Sequence, residues 1–380
     1  MGTLLTIWDP RLREYDFGTG HPFAMAFREL GTRLFEASLT GEERVEWLRG
    51  LTPATAETLG TFHTESYVQA VERSAHLGQR VWLDSGDTPS FPGCDEAAAR
   101  VVAGTVSAVD AALARNAPAF QPFGGLHHAH PDRASGFCIY NDVAIGVRAA
   151  VERLGRVAYI DIDAHHGDGV MYGFYDSGRV LDIDFHQDGR TLFPGTGHVN
   201  EHGGGDGAGL KVNLPLPPGA GDEALVPLFE RIVPPMLREF RPGLIILQHG
   251  VDGHAGDPLA QLQFTPAGYT TVVSRLLELA SELCDGRLVV TGGGGYDPVN
   301  VALTLAQTGR LLAGVPPVPH PGAETPSEWR KEYFHQVEQA APISWEAPST
   351  LARSPWNSGR EEALVAELSK ALGRSFPAAP

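Results

Sequence analysis

Short apolar runs alternate with longer segments of helical periodicity along this chain. Four runs rich in Val, Ile and Leu are predicted as strands, at 157–162, 180–185, 244–247 and 288–290. Each run is too short for a helix and is rich in β-branched and aliphatic residues, which is typical of strands buried on both faces of a parallel sheet. The pattern therefore predicts a sheet whose strands are covered on both sides.

The segments between these runs have the spacing of amphipathic helices. Apolar residues recur every three or four positions over 95–116, and 266–284 begins with Pro266 behind the N-cap residue Thr265. Strands alternating with helices predict an α/β fold with a single open parallel β-sheet flanked by helices. We expect a catalytic domain over 1–315, and a proline-rich C-terminal extension over 316–380 that packs on it and ends in a helix at 360–372.

Polar residues gather where the predicted strands end. Asp163 and His165 follow the first run, His186 follows the second, Asp252 follows the third and a glycine-rich stretch follows the fourth. These are carboxyl ends of strands, where open α/β sheets form their ligand crevices. The active site is therefore expected at this edge of the sheet.

Composition and charge narrow the class of protein. The 380 residues carry a formal net charge of −17, which argues against nucleic acid as a partner because such binding needs clustered Lys and Arg. Only three cysteines occur, with no CxxC pair, as expected in a reducing, cytoplasmic setting. We find no signal peptide and no uncharged apolar stretch of about 18 residues, so no membrane association is expected.

The densest polar cluster lies at 161–169, directly after a predicted strand. Residues two apart on a strand point to the same side, so Asp161, Asp163 and His165 can converge there. Carboxylates and an imidazole suit a divalent cation, and Asp252 is a further ligand candidate from a distant loop. Any one of these residues alone fits an ordinary polar loop, whereas the whole cluster favours a metal site.

Two further features fit hydrolysis of an amide. The pair His127 and His128 can supply a base and an acid if Asp161 and Asp168 set their basicities differently. Four glycines precede Tyr296 and can bring its hydroxyl close to a confined point. The plain alternatives are a surface turn for the histidine pair and a flexible loop for the glycines. A phosphate-binding P-loop is not indicated, because no P-loop lysine follows the glycines.

Together these stretches resemble the zinc-dependent histone deacetylase family, within the arginase and deacetylase superfamily, and look closest to bacterial acetoin-utilisation-type deacetylases. The matching strings occur in the family's order and span roughly residues 15–315. They are GGLHHAHPDRASGFCIYND, YIDIDAHHGDGV, FPGTG, LQHGVDGHAGDPL and GGGGY. The resemblance implies the arginase/deacetylase fold and a metal-dependent hydrolase that removes acetyl groups from acetyl-lysine side chains of proteins or peptides and releases acetate.

The resemblance also implies a role for each matching position. It implies Zn²⁺, or alternatively Fe²⁺, on Asp163, His165 and Asp252, with Tyr296 bonding the substrate carbonyl. His128 would be the main base and acid, oriented by Asp168, beside His127 paired with Asp161. The substrate-binding positions would be Asp87, Gly136, Phe137, Phe193 and Leu259. A structural K⁺ or Na⁺ would lie at Asp161, Asp163, His165, Asp184 and Phe185.

The sequence departs from the family pattern at two places. Met25 and Phe27 replace a proline and an arginine of the N-terminal loop, and Arg28 is one position further on. Asp184 stands where the family commonly has serine, so we expect a tighter monovalent cation. Three alternatives stay open: an acetylpolyamine deacetylase, which the apolar Leu259 at the entrance disfavours, a catalytically silent acyl-lysine binder and an arginase-like two-metal enzyme, which Gly167 disfavours.

Overall fold

One parallel sheet forms the centre of the fold. The computed structural model describes residues 3–41, 44–316 and 354–378. The strands in these ranges are β1 (Leu4–Ile7), β2 (Val45–Leu48), β3 (Ala119–Gln121), β4 (Val157–Asp161), β5 (Val180–Gln187), β6 (Lys211–Leu216), β7 (Leu244–Gln248) and β8 (Leu288–Thr291). They lie in the order β2-β1-β3-β8-β7-β4-β5-β6, and every neighbouring pair is parallel. The predicted fold class is confirmed.

The four predicted strands correspond to β4, β5, β7 and β8, with small shifts at their ends. The largest shift is in β5, which continues to Gln187, so that His186 lies within the strand rather than after it. The prediction missed β1, β2, β3 and β6.

Helices cover both faces of the sheet. They are α1 (Met25–Ala37), α2 (Ala56–Leu59), α3 (Glu65–Ala75), α4 (Cys94–Arg115), α5 (Asp142–Leu154), α6 (Asp168–Gly173), α7 (Asp222–Phe240), α8 (Pro266–Leu283), α9 (Pro298–Leu312) and α10 (Ser358–Leu372), with short 3-10 helices at Pro10–Glu14 and Gly205–Gly207. The predicted helices 95–116 and 266–284 correspond to α4 and α8. Thr265 caps α8 as expected, because its hydroxyl accepts a hydrogen bond from the Ala267 amide.

Alternate residues of a strand pack into two separate hydrophobic cores, one on each face of the sheet. In β4, Ala158 and Ile160 pack with α1, α7, α8 and α9, whereas Val157 and Tyr159 pack with α3, α4 and α5. Side chains of successive strand residues point to opposite faces, so a strand that is apolar at every position is covered on both sides. The continuous apolar runs of the sequence follow from this three-layer arrangement.

The C-terminal helix packs against the first of these cores. Leu364, Val365 and Leu368 of α10 are buried, and Arg231 of α7 forms an ion pair with Glu362 at 2.7 Å. Most of the predicted extension, residues 317–353, lies outside the described residues. The domain boundary at 315/316 stays a prediction.

Among the described helices, α4 is long and apolar enough to cross a membrane by length and composition. Its apolar window is 67% buried within the fold. This burial is what a core helix shows, and α4 packs against α5, β3 and β1.

Candidate active site

The polar clusters of the sequence meet at the carboxyl edge of four adjacent strands. In the sheet order, β3, β8, β7 and β4 are consecutive. The loops that follow them carry His127 and His128, Tyr296, Asp252 and Asp163, respectively. Adjacent parallel strands end at the same edge, so segments that are far apart in sequence become neighbours here. The site is thus at the predicted edge.

Asp163, His165 and Asp252 form a buried group suited to a divalent cation. Their ligand atoms all lie within 4.8 Å of one another, and no other group of three or more His, Cys, Asp or Glu in the described parts of the chain meets this criterion. His165 Nδ1 lies 2.8 Å from Asp252 Oδ2 and 3.3 Å from Asp163 Oδ1. Two carboxylates and one imidazole are a donor set for Zn²⁺ or Fe²⁺. The residues therefore fit the implied metal.

The other carboxylate oxygens of this group are held by backbone amides. The Gly294 amide donates to Asp163 Oδ2 at 2.7 Å, and the Ala164 amide donates to Asp252 Oδ1 at 2.8 Å. A Cβ at Gly294 would lie 1.9 Å from Asp252 Oδ2. Such an approach is open only to glycine. The glycine-rich stretch is therefore part of the support of the metal group rather than a flexible turn.

The carboxylates of the metal group determine whether His165 and Asp252 are protonated. Burial alone disfavours a charged His165, but Asp252 and Asp163 outweigh burial and raise the His165 pKa to about 10. Burial and the neighbouring Asp163 raise the pKa of Asp252 to about 6. Ligand atoms must be deprotonated to bind a metal, so binding has to release the proton that His165 holds.

Each histidine of the pair faces its own carboxylate. His127 Nδ1 lies 2.9 Å from Asp161 Oδ2, and His128 Nδ1 lies 2.7 Å from Asp168 Oδ1. Burial, followed by the neighbouring His127, lowers the pKa of His128. A carboxylate on Nδ1 keeps the proton there, so the lone pair of the neutral ring lies on Nε2. These are the pairings that the resemblance implied.

A narrow cavity of about 240 Å³ leads to this site. Phe193 and Leu259 are about 40% exposed and mark its mouth, whereas His128 and His165 are nearly buried and mark its inner end. The structure thus brings the expected substrate-binding residues to one cavity and adds Leu192, which sequence reasoning missed. The lining consists of Asp87, His128, Gly136, Phe137, His165, Leu192, Phe193, Leu259 and Tyr296.

Gly136 shapes the wall of the cavity. Its φ is +54°, and a Cβ there would lie 2.5 Å from the His128 ring and 2.8 Å from Phe193. The next residue, Phe137, also has a positive φ, of 67°, and its amide is held by the Thr88 hydroxyl at 3.0 Å. Only glycine leaves room for a chain between His128 and Phe193 at this point.

Tyr296 and Arg28 meet at the glycine-rich loop. The Tyr296 ring lies 6.1 Å from the Phe137 ring and 6.3 Å from the His165 ring, and burial raises the Tyr296 pKa well above its usual value. Its hydroxyl is therefore a neutral hydrogen-bond donor. Arg28 is fully buried and donates to the Gly293 carbonyl. Arg28 of α1 thus reaches the loop that carries Tyr296, and Met25 and Phe27 lie in the same helix rather than in a loop.

Both carboxylate oxygens of Asp184 form hydrogen bonds with neighbouring groups. Its Oδ1 lies 2.7 Å from His186 Nδ1, and its Oδ2 accepts a hydrogen bond from the Gly167 amide at 2.7 Å. Burial and the proximity of Asp184 raise the pKa of Asp161 well above its usual value. Asp161, Asp163 and Asp184, three of the expected monovalent cation residues, are all buried, and Phe185 follows Asp184 in β5.

Sequence reasoning missed two polar contacts of the site. Tyr159, two residues before Asp161, donates its hydroxyl proton to Asp161 Oδ2. His130 Nε2 lies 3.1 Å from Asp168 Oδ2. The first could have been found from the side-to-side alternation of β4, which places residues 159 and 161 on one face. The second joins residues 38 positions apart and has no such pattern.

Comparisons with known proteins agree with this geometry. The family model described as histone deacetylase domain matches residues 26–312. The chain is 36% identical over 356 residues to the acetoin utilization protein AcuC of Bacillus subtilis (strain 168), covering 91% of this chain and 90% of that protein. It is 32% identical over 347 residues to the AcuC protein of Staphylococcus xylosus, covering 89% of each. The resemblance that the sequence motifs indicate is confirmed.

Proposed function

The chain belongs to the histone deacetylase family and is a hydrolytic deacetylase, and on this premise we propose that it removes acetyl groups from acetyl-lysine side chains of proteins and releases acetate. The observation that carries the proposal is the narrow cavity of about 240 Å³, which has Phe137 and Phe193 in its wall and His128, His165 and Tyr296 deeper inside. A long aliphatic chain ending in an amide fits such a shape.

The metal group is the first part of the proposed chemistry. Asp163, His165 and Asp252 would hold a single Zn²⁺ or Fe²⁺ ion. When bound, such an ion acts as a Lewis acid toward the amide carbonyl and makes water more acidic. Asp163 and Asp252 are each held by a backbone amide, so the ligand positions are set before the ion binds.

His128 moves the protons of the reaction. Its Nδ1 donates to Asp168, so its Nε2 can take a proton from the attacking water and later give it to the departing lysine nitrogen. Burial raises the pKa of Asp168, but the hydrogen bonds of His128 and His130 outweigh it and hold that pKa below its usual range. An ionised Asp168 then stabilises the imidazolium that forms on His128.

Tyr296 stabilises the charge that develops on the substrate. Because its pKa is raised well above the usual value, the hydroxyl stays protonated and can donate to the carbonyl oxygen and then to the oxyanion. Burial raises the pKa of the Cys138 thiol well above its usual value, and the thiol donates to the Gly136 carbonyl. A thiol in this state is a poor nucleophile, which supports direct hydrolysis.

The mouth of the cavity favours a protein substrate over an acetylpolyamine. Leu259 is 39% exposed there and offers no partner for a cationic chain. Asp87, which lines the same cavity, would hold the substrate backbone, and burial together with Asp84 raises its pKa to about 6. We therefore place acetylated proteins or peptides first and acetylpolyamines second.

A direct comparison of substrates tests this preference. Metal-loaded enzyme is assayed with an acetyl-lysine peptide and with N-acetylputrescine, beside the variant Leu259→Glu. We expect the peptide to have the higher kcat/KM, and the variant to gain activity on the polyamine. Faster cleavage of N-acetylputrescine by the unaltered enzyme would contradict the protein-lysine assignment while leaving the chemistry intact.

The inner monovalent cation is a second part of the proposal. Asp161, Asp163 and Asp184 bring three buried carboxylates together, and such a group attracts K⁺ or Na⁺. We expect the Tm to rise with added KCl more in the unaltered protein than in Asp184→Ser. An equal rise in both proteins would show that Asp184 does not hold the cation.

The remaining alternatives have less support. A silent acyl-lysine binder would not need the metal group, the histidine pair and Tyr296 together, and all are present. An arginase-like second metal would need further carboxylates near the group, where Gly167 stands. The three cysteines are buried free thiols, which is the basis on which we propose a cytoplasmic location.

A further inference from the structure

Asp168 holds two imidazole rings, one on each carboxylate oxygen. Its Oδ1 lies 2.7 Å from His128 Nδ1, and its Oδ2 lies 3.1 Å from His130 Nε2. An ionised carboxylate only accepts hydrogen bonds, so both ring nitrogens must carry protons that point at Asp168. His128 and His130 are therefore coupled through a single buried carboxylate.

The position of His130 is set by its surroundings. Its amide donates to the Arg133 carbonyl at 3.0 Å, and its own carbonyl lies 3.0 Å from His63 Nδ1. Its ring stacks on Tyr172 with centroids 6.3 Å apart and planes 19° apart. The side chain is 10% exposed. His130 thus reaches Asp168 from a fixed backbone and a packed ring.

His130 is not part of the wall of the substrate cavity. The cavity is lined by His128 and His165 at its inner end, whereas His130 lies on the far side of Asp168. Its ring is joined to His128 through the carboxylate that the two residues share.

We propose that His130 is a positioning residue of this deacetylase, which fixes the Asp168 carboxylate so that the His128 ring is held in its reactive orientation. The role in turnover rests on the proposed function, whereas the orientation of His128 does not. A carboxylate bonded through one oxygen still turns easily, because the torsion to a planar terminal group has a broad minimum. A second hydrogen bond on the other oxygen removes this freedom.

A fixed ring matters because proton transfer depends on geometry. His128 must present Nε2 to a water and then to a lysine nitrogen, and a small misplacement of a catalytic group lowers the rate strongly. His130→Phe keeps a ring for packing against Tyr172 but removes the donor. His130→Gln places an amide N–H near the position of Nε2 and keeps the donor without the ring.

Kinetics of the metal-loaded variants give the first test. We expect His130→Phe to lower kcat about tenfold with KM nearly unchanged, and His130→Gln to recover most of the loss. His76→Phe, at an exposed histidine far from Asp168 in sequence, is the control for general effects. A kcat that falls equally in His130→Phe and His130→Gln would show a packing role only and would overturn the proposal.

Proton NMR of the histidine N–H groups gives a second test that needs no substrate. The His128 Nδ1 proton faces Asp168 at 2.7 Å and should give a sharp, strongly downfield resonance. We expect this resonance to shift or broaden in His130→Phe and to return in His130→Gln. An unchanged resonance in His130→Phe would overturn the proposal. Absence of turnover in the unaltered enzyme would count against the proposed function alone.

Discussion

The Nε2 atoms of His127 and His128 lie 3.0 Å apart, although the Nδ1 atom of each ring faces a different carboxylate. The two carboxylates differ, because burial and Asp184 raise the pKa of Asp161, whereas hydrogen bonds hold the pKa of Asp168 low. Of the two carboxylates, Asp168 is therefore the one that is ionised, and it faces His128.

This asymmetry predicts unequal effects of the two histidines. We expect His128→Ala to lower kcat by about a hundred- to ten-thousandfold, which is the usual contribution of a general acid and base. His127→Ala should cost less, because His127 faces the carboxylate that ionises less readily. Steady-state kinetics on one acetyl-lysine peptide measure both, and a larger loss in His127→Ala would reverse the assignment.

Tyr296 is expected to act in the transition state rather than in substrate binding. Tyr296→Phe removes only the hydroxyl, so kcat should fall by about a hundred- to a thousandfold while KM changes little. The ring contacts with Phe137 and His165 remain in this variant. Peptide binding to the variant, measured by fluorescence anisotropy, should match that of the unaltered enzyme; unchanged turnover would refute the role.

Gly136 is expected to keep the cavity open. In Gly136→Ala the new methyl group would lie 2.5 Å from His128 and 2.8 Å from Phe193. Gly155→Ala is a matched control, because Gly155 also has a positive φ, of 80°, but no neighbouring atom lies within 4 Å of the added Cβ. Both should lose about 1 to 3 kcal/mol of unfolding free energy, and only Gly136→Ala should lose activity. Full activity in Gly136→Ala would contradict the assigned path of the substrate.

A buried neutral histidine predicts how stability depends on pH. His63 Nδ1 donates to the His130 carbonyl, its Nε2 accepts from the Asn141 amide at 2.9 Å, and burial lowers its pKa to about 4. In the unfolded chain, His63 takes up a proton near pH 6.5. The free energy of unfolding is therefore unaffected by this titration above pH 6.5 and falls as the pH drops toward 4. At pH 5 the titration of His63 alone should lower the free energy of unfolding by about 2 kcal/mol.

Urea unfolding at pH 7 and pH 5 checks this effect. The untitratable variant His63→Gln should be less stable at pH 7 because it loses contacts, but its stability should fall less between the two values. An equal fall in both proteins would show that His63 does not contribute to the acid sensitivity.

The fold was predictable where strands are rich in Val, Ile and Leu. β4, β5, β7 and β8 lie in the interior of the sheet and have covered faces, so such runs mark them, although β5 also carries Asp182 and Asp184. β3 has only three residues between Pro118 and Pro122, and the edge strand β6 contains Lys211 and Pro215. Lys211 is buried, and its ammonium group is satisfied by a hydrogen bond that it donates to the Val180 carbonyl at 2.8 Å. Such satisfied polar groups break the pattern on which strand prediction depends.

The site was predictable where its residues lie next to strand ends. Asp161, Asp163 and His165 share one strand end, and the motifs of the family place the others. His130 was missed because its partner Asp168 is 38 residues away and only the fold brings them together. Leu192 was missed because an apolar residue in a loop has no distinguishing pattern.

Dependence of acetate release on the metal is the most direct test of the proposed chemistry. Protein freed of metal is titrated with Zn²⁺ while acetate release from an acetyl-lysine peptide and bound metal are measured, with Asp252→Ala as the comparison. We expect no release without metal, full activity at one ion per chain and little binding by Asp252→Ala. Undiminished release by the metal-free protein, or a requirement for two ions per chain, would contradict a single metal on Asp163, His165 and Asp252.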